Sequence, residues 1–345
     1  MKNRAFYMTD IRKMVAGEAE MPTVGDEDVL IKIQAVGICG SDLHYYNRGS
    51  IGAYVVEPPF ILGHEAAGIV EEVGSKVTNF KKGDRVTMEP GIPCFKCEQC
   101  LKGRYHLCPE LSFWATPPFN GCLVDYVAHP AAFTFKLPDN VSLKEGALVE
   151  PLACGLSACE RADVKIGESV AIFGSGCIGL VSLLVAKARG ASKIFVTDII
   201  DSRLEVAKQF GAIAINSSKT DAVKEIMEQT DGRGVDVVLD CCGIDATIKQ
   251  GLEAAALAAR MVVVGLGTNE YNNIPVANLE SKEMTLLWMH RYHNQYPTAL
   301  NAISSGVIDV GKIISNEYRF EDTPKAFEDC INNIQSIIKG VIVYE

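Results

Sequence analysis

With 345 residues, 48% of them hydrophobic, the chain is long enough for about two domains, each with a real core. Its formal net charge of −10 argues against a nucleic-acid or anionic-membrane surface, since both want basic patches. No apolar run reaches the length of a membrane span, and the start, Met1-Lys2-Asn3-Arg4-Ala5-Phe6-Tyr7, lacks the apolar core of a secretory signal, so a soluble, cytoplasmic protein is expected.

Twelve cysteines without an export signal read as metal ligands and core thiols rather than as disulfides. Residues 1 to about 90 alternate short β runs with Gly turns, the pattern of a small barrel or folded sheet. Within them the alternating run from Val29 to Val36 enters Gly37-Ile38-Cys39-Gly40-Ser41-Asp42-Leu43-His44, a turn that carries a thiol, a hydroxyl and an imidazole. Twenty-five residues after Cys39, and just after the apolar Phe60-Ile61-Leu62, comes His64, followed by Glu65. Thiol, imidazole and carboxylate together suit a zinc site of mixed ligands. The competing reading is a core Cys and a loop His that never meet.

Cys94, Cys97, Cys100 and Cys108 come next, with the spacing C-x2-C-x2-C-x7-C. Four thiolates this close can complete a tetrahedral zinc shell with no position left for chemistry. An iron–sulfur cluster is the rival, because Cys108-Pro109 and the close-set thiols echo the ferredoxin run. The gap of seven before the last Cys, against that run's three, favours zinc.

From 142 to 153 the texture is helical, and Glu150-Pro151 stands out within an apolar run. A buried unpaired carboxylate is costly, so Glu150 is expected to face a cation. Cys154 and Cys159 beyond it read as packing residues. The strand Glu168–Phe173 then enters Gly174-Ser175-Gly176-Cys177-Ile178-Gly179, with a helix from Leu180 to Ala188 and a second strand ending at Asp198. Strand, Gly-x-Gly-x-x-Gly, helix, strand and acid in that order read as a dinucleotide site. Asp198 repels a 2′-phosphate, which favours NAD over NADP; Arg203 can stack on adenine or, as the less favoured alternative, tolerate that phosphate. Apolar strands at Val235–Leu239 and Met261–Gly265 extend a doubly wound parallel sheet, and Cys241 and Cys242 read as buried thiols. Near 289 the texture returns to mixed short elements, with a helix from Thr323 and a closing strand from Lys339 to Tyr344. A cleft is expected at that crossing.

These stretches resemble the zinc-dependent medium-chain dehydrogenases over essentially the whole chain, and within them the sorbitol (L-iditol) and xylitol dehydrogenase branch. The resemblance is carried by Gly37–His44 with Tyr45, Leu62-Gly63-His64-Glu65, Gly103-Arg104-Tyr105 with Cys108-Pro109, and Ala115-Thr116-Pro117-Pro118. It is carried further by Lys136–Asn140, Glu150-Pro151-Leu152, the Gly174 loop and Arg291-Tyr292. It implies an α/β chain, with a GroES-like β-rich catalytic domain at 1–152 and 290–345 (zinc loop at 93–109) and an inserted Rossmann domain at 153–289. It also implies hydride transfer from a secondary alcohol of a polyol to NAD, giving the ketose. Catalytic zinc would sit on Cys39, His64 and Glu65, with Glu150 ligating directly or through water, and Ser41 and His44 would carry the proton away. Tyr45, Phe113, Glu150, Arg291 and Tyr292 would bind substrate. Gly174, Gly176, Cys177, Ile178, Gly179, Asp198, Arg203, Val264, Gly265, Leu266, Met289, His290 and Arg291 would line the cofactor. One structural zinc on the four cysteines and a homotetramer complete the expectation. Two departures stand out: polyol enzymes of animal type often lack the four-Cys loop, and His290 replaces a commonly apolar residue. A threonine-type or 2,3-butanediol dehydrogenase is the alternative within the family, and a non-catalytic NAD-binding protein the alternative outside it.

Overall fold

The computed structural model describes residues 2–267 and 273–344. The chain divides into two compact units, Met1–Glu150 with Tyr296–Glu345, and Pro151–Gln295. The return to the first unit falls at 295/296 and not at 289/290. Residues 289–295 stay with the second unit because Met289 N–H donates to the Val263 carbonyl at 3.0 Å and Gln295 donates to Glu160. Tyr296 belongs to the first, where its hydroxyl donates to the Met88 carbonyl at 2.9 Å.

The first unit is built on the strand Asp28–Gly37. Its β-branched and aliphatic residues are buried on both faces, with only Asp28, Lys32 and Gln34 half-buried, so the strand is central rather than one-sided. It pairs antiparallel with Glu65–Val73, Tyr126–Pro130 and the closing strand Gly340–Val343. Among the described residues these belong to a seven-stranded sheet, and a separate three-stranded sheet joins Asn3–Asp10, Lys13–Ala19 and Phe60–Ile61. Register sets Gly37 opposite Glu65 on one side and Val341 on the other. The ends of three strands distant in sequence therefore meet at one place. The helix Thr323–Asn332, opened by Thr323 and Pro324 as the sequence suggests, packs Phe327 against Tyr46 with ring centroids 5.3 Å apart.

The expected single helix over 142–153 is two, Leu143–Ala147 and Val149–Arg161. Ser142 opens the first with a capping box to Glu145. Pro151 sits in the first turn of the second, where its missing N–H leaves no helical bond unmade. That placement accounts for a proline inside an otherwise helical run.

In the second unit six parallel strands run in the order Ile213–Asn216, Lys193–Asp198, Ser169–Phe173, Val235–Asp240, Ala255–Val263 and Thr285–Trp288. That is the doubly wound order of dinucleotide folds, whose switch point lies at the first strand. Ser169–Phe173 is buried throughout, as a strand with helices on both faces must be. Among the described residues no helix is long and apolar enough to cross a membrane.

Candidate functional site

Cys39 is the N-cap of the helix Gly40–Arg48, and its own N–H donates to Asp42 Oδ2 at 3.2 Å. Glu65 begins the neighbouring strand Glu65–Val73, and His64 immediately precedes it. Because Gly37 faces Glu65 across the ladder, the three side chains converge, with their ligand atoms all within 4.8 Å of one another. Gly37 is required for this: a Cβ there would stand 2.1 Å from Glu65 Oε2. The thiol is half-buried and the other two groups are buried. His64 Nδ1 and Glu65 Oε2 are both buried without a hydrogen bond of good geometry, each lying beside a charge instead, Asp42 Oδ1 at 3.4 Å and the Lys339 ammonium at 2.5 Å. A soft thiolate, an imidazole and a carboxylate with lone pairs to spare fit a divalent zinc-like ion.

Two residues that sequence reasoning left without a role support this cluster. Asp42, fully buried, accepts the Gly63 N–H at 3.0 Å and lies 3.4 Å from His64 Nδ1. Burial pulls the His64 imidazolium down, but the charges of Asp42 and Cys39 outweigh it and push the group well above the ordinary histidine range. The signal for Asp42 was its place three residues after a helix-capping Cys. Lys339, 2% exposed, reaches Glu65 from the position just before the closing strand. A lone lysine leading an apolar run was its only trace in the sequence.

Glu150, buried in the first turn of its helix, stands outside the Cys39–His64–Glu65 cluster. Phe113 packs on the cluster, its ring centroid 5.6 Å from that of His64. Ser41 and His44 lie three apart on the helix Gly40–Arg48, on one face, both half-buried, and Tyr45 is next, buried. Burial, and then the charge of Arg48, lowers the His44 pKa, which keeps the ring neutral near pH 7.

The four sulfurs of Cys94, Cys97, Cys100 and Cys108 also lie within 4.8 Å of one another. Cys97 and Cys100 sulfurs are 3.4 Å apart, and Cys94 N–H donates to Cys108 Sγ at 3.3 Å. Backbone N–H of Lys96 draws the Cys94 thiol down to about 7, while burial pushes Cys100 up to about 12. The loop is tied to the sheet by Tyr105, whose hydroxyl donates to Glu89 Oε1 at 2.7 Å. Burial, with the Glu150 charge adding to it against the Tyr105 hydrogen bond, raises the Glu89 carboxyl from 4.5 to about 7.

This shift makes stability depend on pH. Between these two values the unfolded carboxyl has released its proton while the folded one retains it, so stability falls as pH rises through the window. Glu89→Gln cannot ionise and still accepts from Tyr105. Its stability relative to the parent is expected to be higher at pH 8 than at pH 5 by on the order of 3 kcal/mol, from about 1.4 kcal/mol per pH unit. Urea denaturation at the two pH values measures this, and equal differences at both would place the Glu89 titration elsewhere.

In the second unit the predicted cofactor residues collect at the carboxyl ends of the strands. Gly174 has φ +97°, and a Cβ on Gly179 would meet the Gly174 carbonyl oxygen at 1.8 Å, so only glycine lets helix and strand approach here. Gly176 caps the helix Cys177–Ala188, which carries Ile178 in its first turn. Asp198 ends its strand with both oxygens engaged: Ser175 N–H at 2.7 Å and Oγ at 2.9 Å on one, Ile199 and Ile200 N–H at 2.7 and 3.0 Å on the other. The Arg203 guanidinium reaches the loop beside Gly176, 3.8 Å from where a Cβ would stand. Burial lowers the Arg203 pKa against the opposing charge of Asp198. Val264 and Gly265 N–H both donate to the Asp240 carbonyl, at 2.8 and 2.9 Å, and Leu266 beyond them is exposed. After the last strand come Met289, exposed His290, Arg291 at φ +54° and buried Tyr292. Cys159 is buried, as expected of a packing thiol, whereas Cys154, Cys241 and Cys242 are half-buried.

A metal-fitting centre on a GroES-like β unit, joined to a doubly wound dinucleotide unit, defines a zinc-type dehydrogenase. Residues 25–139 match the alcohol dehydrogenase GroES-like domain and residues 177–305 the zinc-binding dehydrogenase domain, and the chain belongs to this oxidoreductase family. It is 41% identical to a sorbitol dehydrogenase of Bacillus subtilis over 99% of this chain and 97% of that one. Among solved structures it is similar to an Escherichia coli oxidoreductase/dehydrogenase of unknown specificity involved in membrane biogenesis, with a TM-score of 0.96, 41% identity and full coverage of both chains. The 2R,3R-butanediol dehydrogenase of Bacillus subtilis matches with a TM-score of 0.91 and 31% identity over 99% of each chain.

Proposed function

We propose that the chain oxidises a secondary alcohol of a polyol, of the sorbitol, L-iditol or xylitol type, to the ketose, with NAD accepting the hydride. The observation that carries this reading is the convergence of the Cys39, His64 and Glu65 ligand atoms within 4.8 Å of one another. Zinc held there supplies Lewis acidity that makes an alcohol proton easier to lose near neutral pH. Asp42, beside Nδ1, would orient the His64 ring toward a metal held by the cluster. The Ser41 hydroxyl takes the alcohol proton and hands it to neutral His44, on the same helix face. Glu150 and Tyr45 accept and donate hydrogen bonds to the substrate's other hydroxyls, with Phe113 as an apolar wall. Arg291 and Tyr292, of the second unit, are assigned to the same hydroxyls on the resemblance alone. Asp198 favours NAD by accepting ribose hydroxyls; Ser175 Oγ is the partner that rotates away to make room, since the other three are backbone donors. Cys94, Cys97, Cys100 and Cys108 hold a second, structural zinc.

Similarity to a butanediol dehydrogenase keeps a second reading alive, oxidation of 2,3-butanediol or threonine. NAD reduction over a panel of C4 to C6 polyols, before and after chelation, decides between them. Sorbitol or xylitol is expected to exceed 2,3-butanediol in kcat/KM by about tenfold or more, because buried groups built for extra hydroxyls are left unpaired by smaller alcohols. The reverse order would transfer the assignment to the butanediol class.

A further inference from the structure

Lys339 immediately precedes the closing strand Gly340–Val343. Its ammonium donates to Glu65 Oε1 at 2.6 Å, stands 2.5 Å from Oε2, and donates to the Ile38 carbonyl at 3.0 Å. Ile38 is the residue before Cys39, and its own N–H donates to the Gly340 carbonyl at 2.9 Å. One charge thus touches the backbone beside one member of the cluster and the side chain of another. Lysine and glutamate side chains here are 2% and 1% exposed. Packing alone does not call for such a pair, because well-packed apolar residues serve a core at least as well as a buried ion pair does.

We infer that Lys339 is a positioning residue that shares Glu65 with the metal and so sets how firmly the centre holds its ion. The inference rests on reading Cys39, His64 and Glu65 as a metal centre. A carboxylate offers about four lone-pair sites. The Lys339 ammonium bridges both oxygens, at 2.6 Å from Oε1 and 2.5 Å from Oε2, and each oxygen keeps a further lone pair for a second cation. Without metal, Lys339 is the counter-charge that makes burial of Glu65 tolerable. With metal, the ion supplies that charge itself, and Lys339 competes with it for the same carboxylate. Removing the ammonium therefore harms the metal-free protein more than the loaded one. The gain in stability on loading grows, and release of the ion slows.

The test is thermal unfolding of the full chain, zinc-loaded and after chelation, in the parent, Lys339→Met and Lys339→Arg, together with the rate of zinc loss to a chelator. The zinc-dependent rise in Tm is expected to be larger in Lys339→Met than in the parent, with zinc loss from this centre about tenfold slower, the scale of outer-sphere partners. Lys339→Arg should restore both. The four-cysteine loop contributes equally to each variant and cancels in the comparison. If Lys339→Met does not fold in either state, Lys339→Gln, which keeps a donor without the charge, takes its place. In the Glu65→Gln background the Lys339 substitution should no longer alter the zinc-dependent rise. Equal losses of Tm with and without zinc, and an unchanged rate of release, would reduce Lys339 to a packing residue and overturn the inference. A zinc-dependent rise in the parent that Cys39→Ser does not diminish would remove the metal centre itself, and the inference with it.

Discussion

Replacing Cys39 by serine, or His64 by alanine, is expected to lower kcat/KM for polyol oxidation roughly a thousandfold or more. A metal Lewis acid contributes several kcal/mol to such a transition state, and each 1.4 or so is about a factor of ten. The Cys39 substitution is the cleaner of the two. Cys39 caps the helix Gly40–Arg48, and serine is among the preferred capping residues, so the helix keeps its start while the thiolate is lost. His64→Ala also leaves a cavity beside Phe113, so part of its effect will appear as lowered Tm. NADH affinity, read by nicotinamide fluorescence, should change less than about twofold in either variant, as for residues that share no partner. The residues assigned to the cofactor belong to the second unit, and both substitutions lie in the first. Retained turnover in both variants would defeat the metal mechanism, whereas loss of NADH binding in both would point to a folding failure.

The members of the cluster were legible in the sequence and the resemblance implied their convergence, but the residue pattern alone left that convergence open. Cys39, His64 and Glu65 each come after a short apolar strand and a Gly turn, which marks them as groups at a strand end. What unites them is the antiparallel register that sets Gly37 opposite Glu65, and register is a property of the folded ladder rather than of either strand's pattern. The dinucleotide loop could be read further. There strand, glycines, helix and acid are contiguous, and the backbone geometry that needs Gly174 and Gly179 is local.

Lys339 illustrates the opposite case. It is 274 residues from Glu65, and a lysine at the head of a strand reads as surface until the sheet order places it against a buried carboxylate. Asp42 was visible in the Gly37–His44 stretch, yet only its bonds to Cys39 N–H and Gly63 N–H reveal a brace for both halves of the cluster. The second unit ends past the change of texture for a related reason. The change of texture near 289 is real, but two hydrogen bonds, one to the strand Ala255–Val263 and one to Glu160 on the helix Val149–Arg161, hold the next few residues to the second unit.

The four-cysteine loop should show the reverse balance of effects. Cys97→Ser is expected to lower bound zinc by about one per chain and Tm by on the order of 10 °C. Structural zinc contributes folding energy outright, and in a unit of this size each kcal/mol is worth roughly 2–4 °C. Cys97 caps the short helix Glu98–Leu101, where serine again serves as a cap, so the loss reports on the ligand shell. Turnover at low temperature should fall far less than in Cys39→Ser. Four thiolates leave the ion no open position, and the loop meets the rest of the unit through the Tyr105 bond to Glu89 and the packing of Phe95 and Tyr105 on Phe133. Calorimetry and metal analysis on the same samples separate the two outcomes. Visible absorption near 400 nm in the purified protein, with iron in place of the second zinc, would instead give the loop to an iron–sulfur cluster. In that case the electron carried by such a cluster would need a donor and an acceptor that a hydride transfer to NAD does not supply.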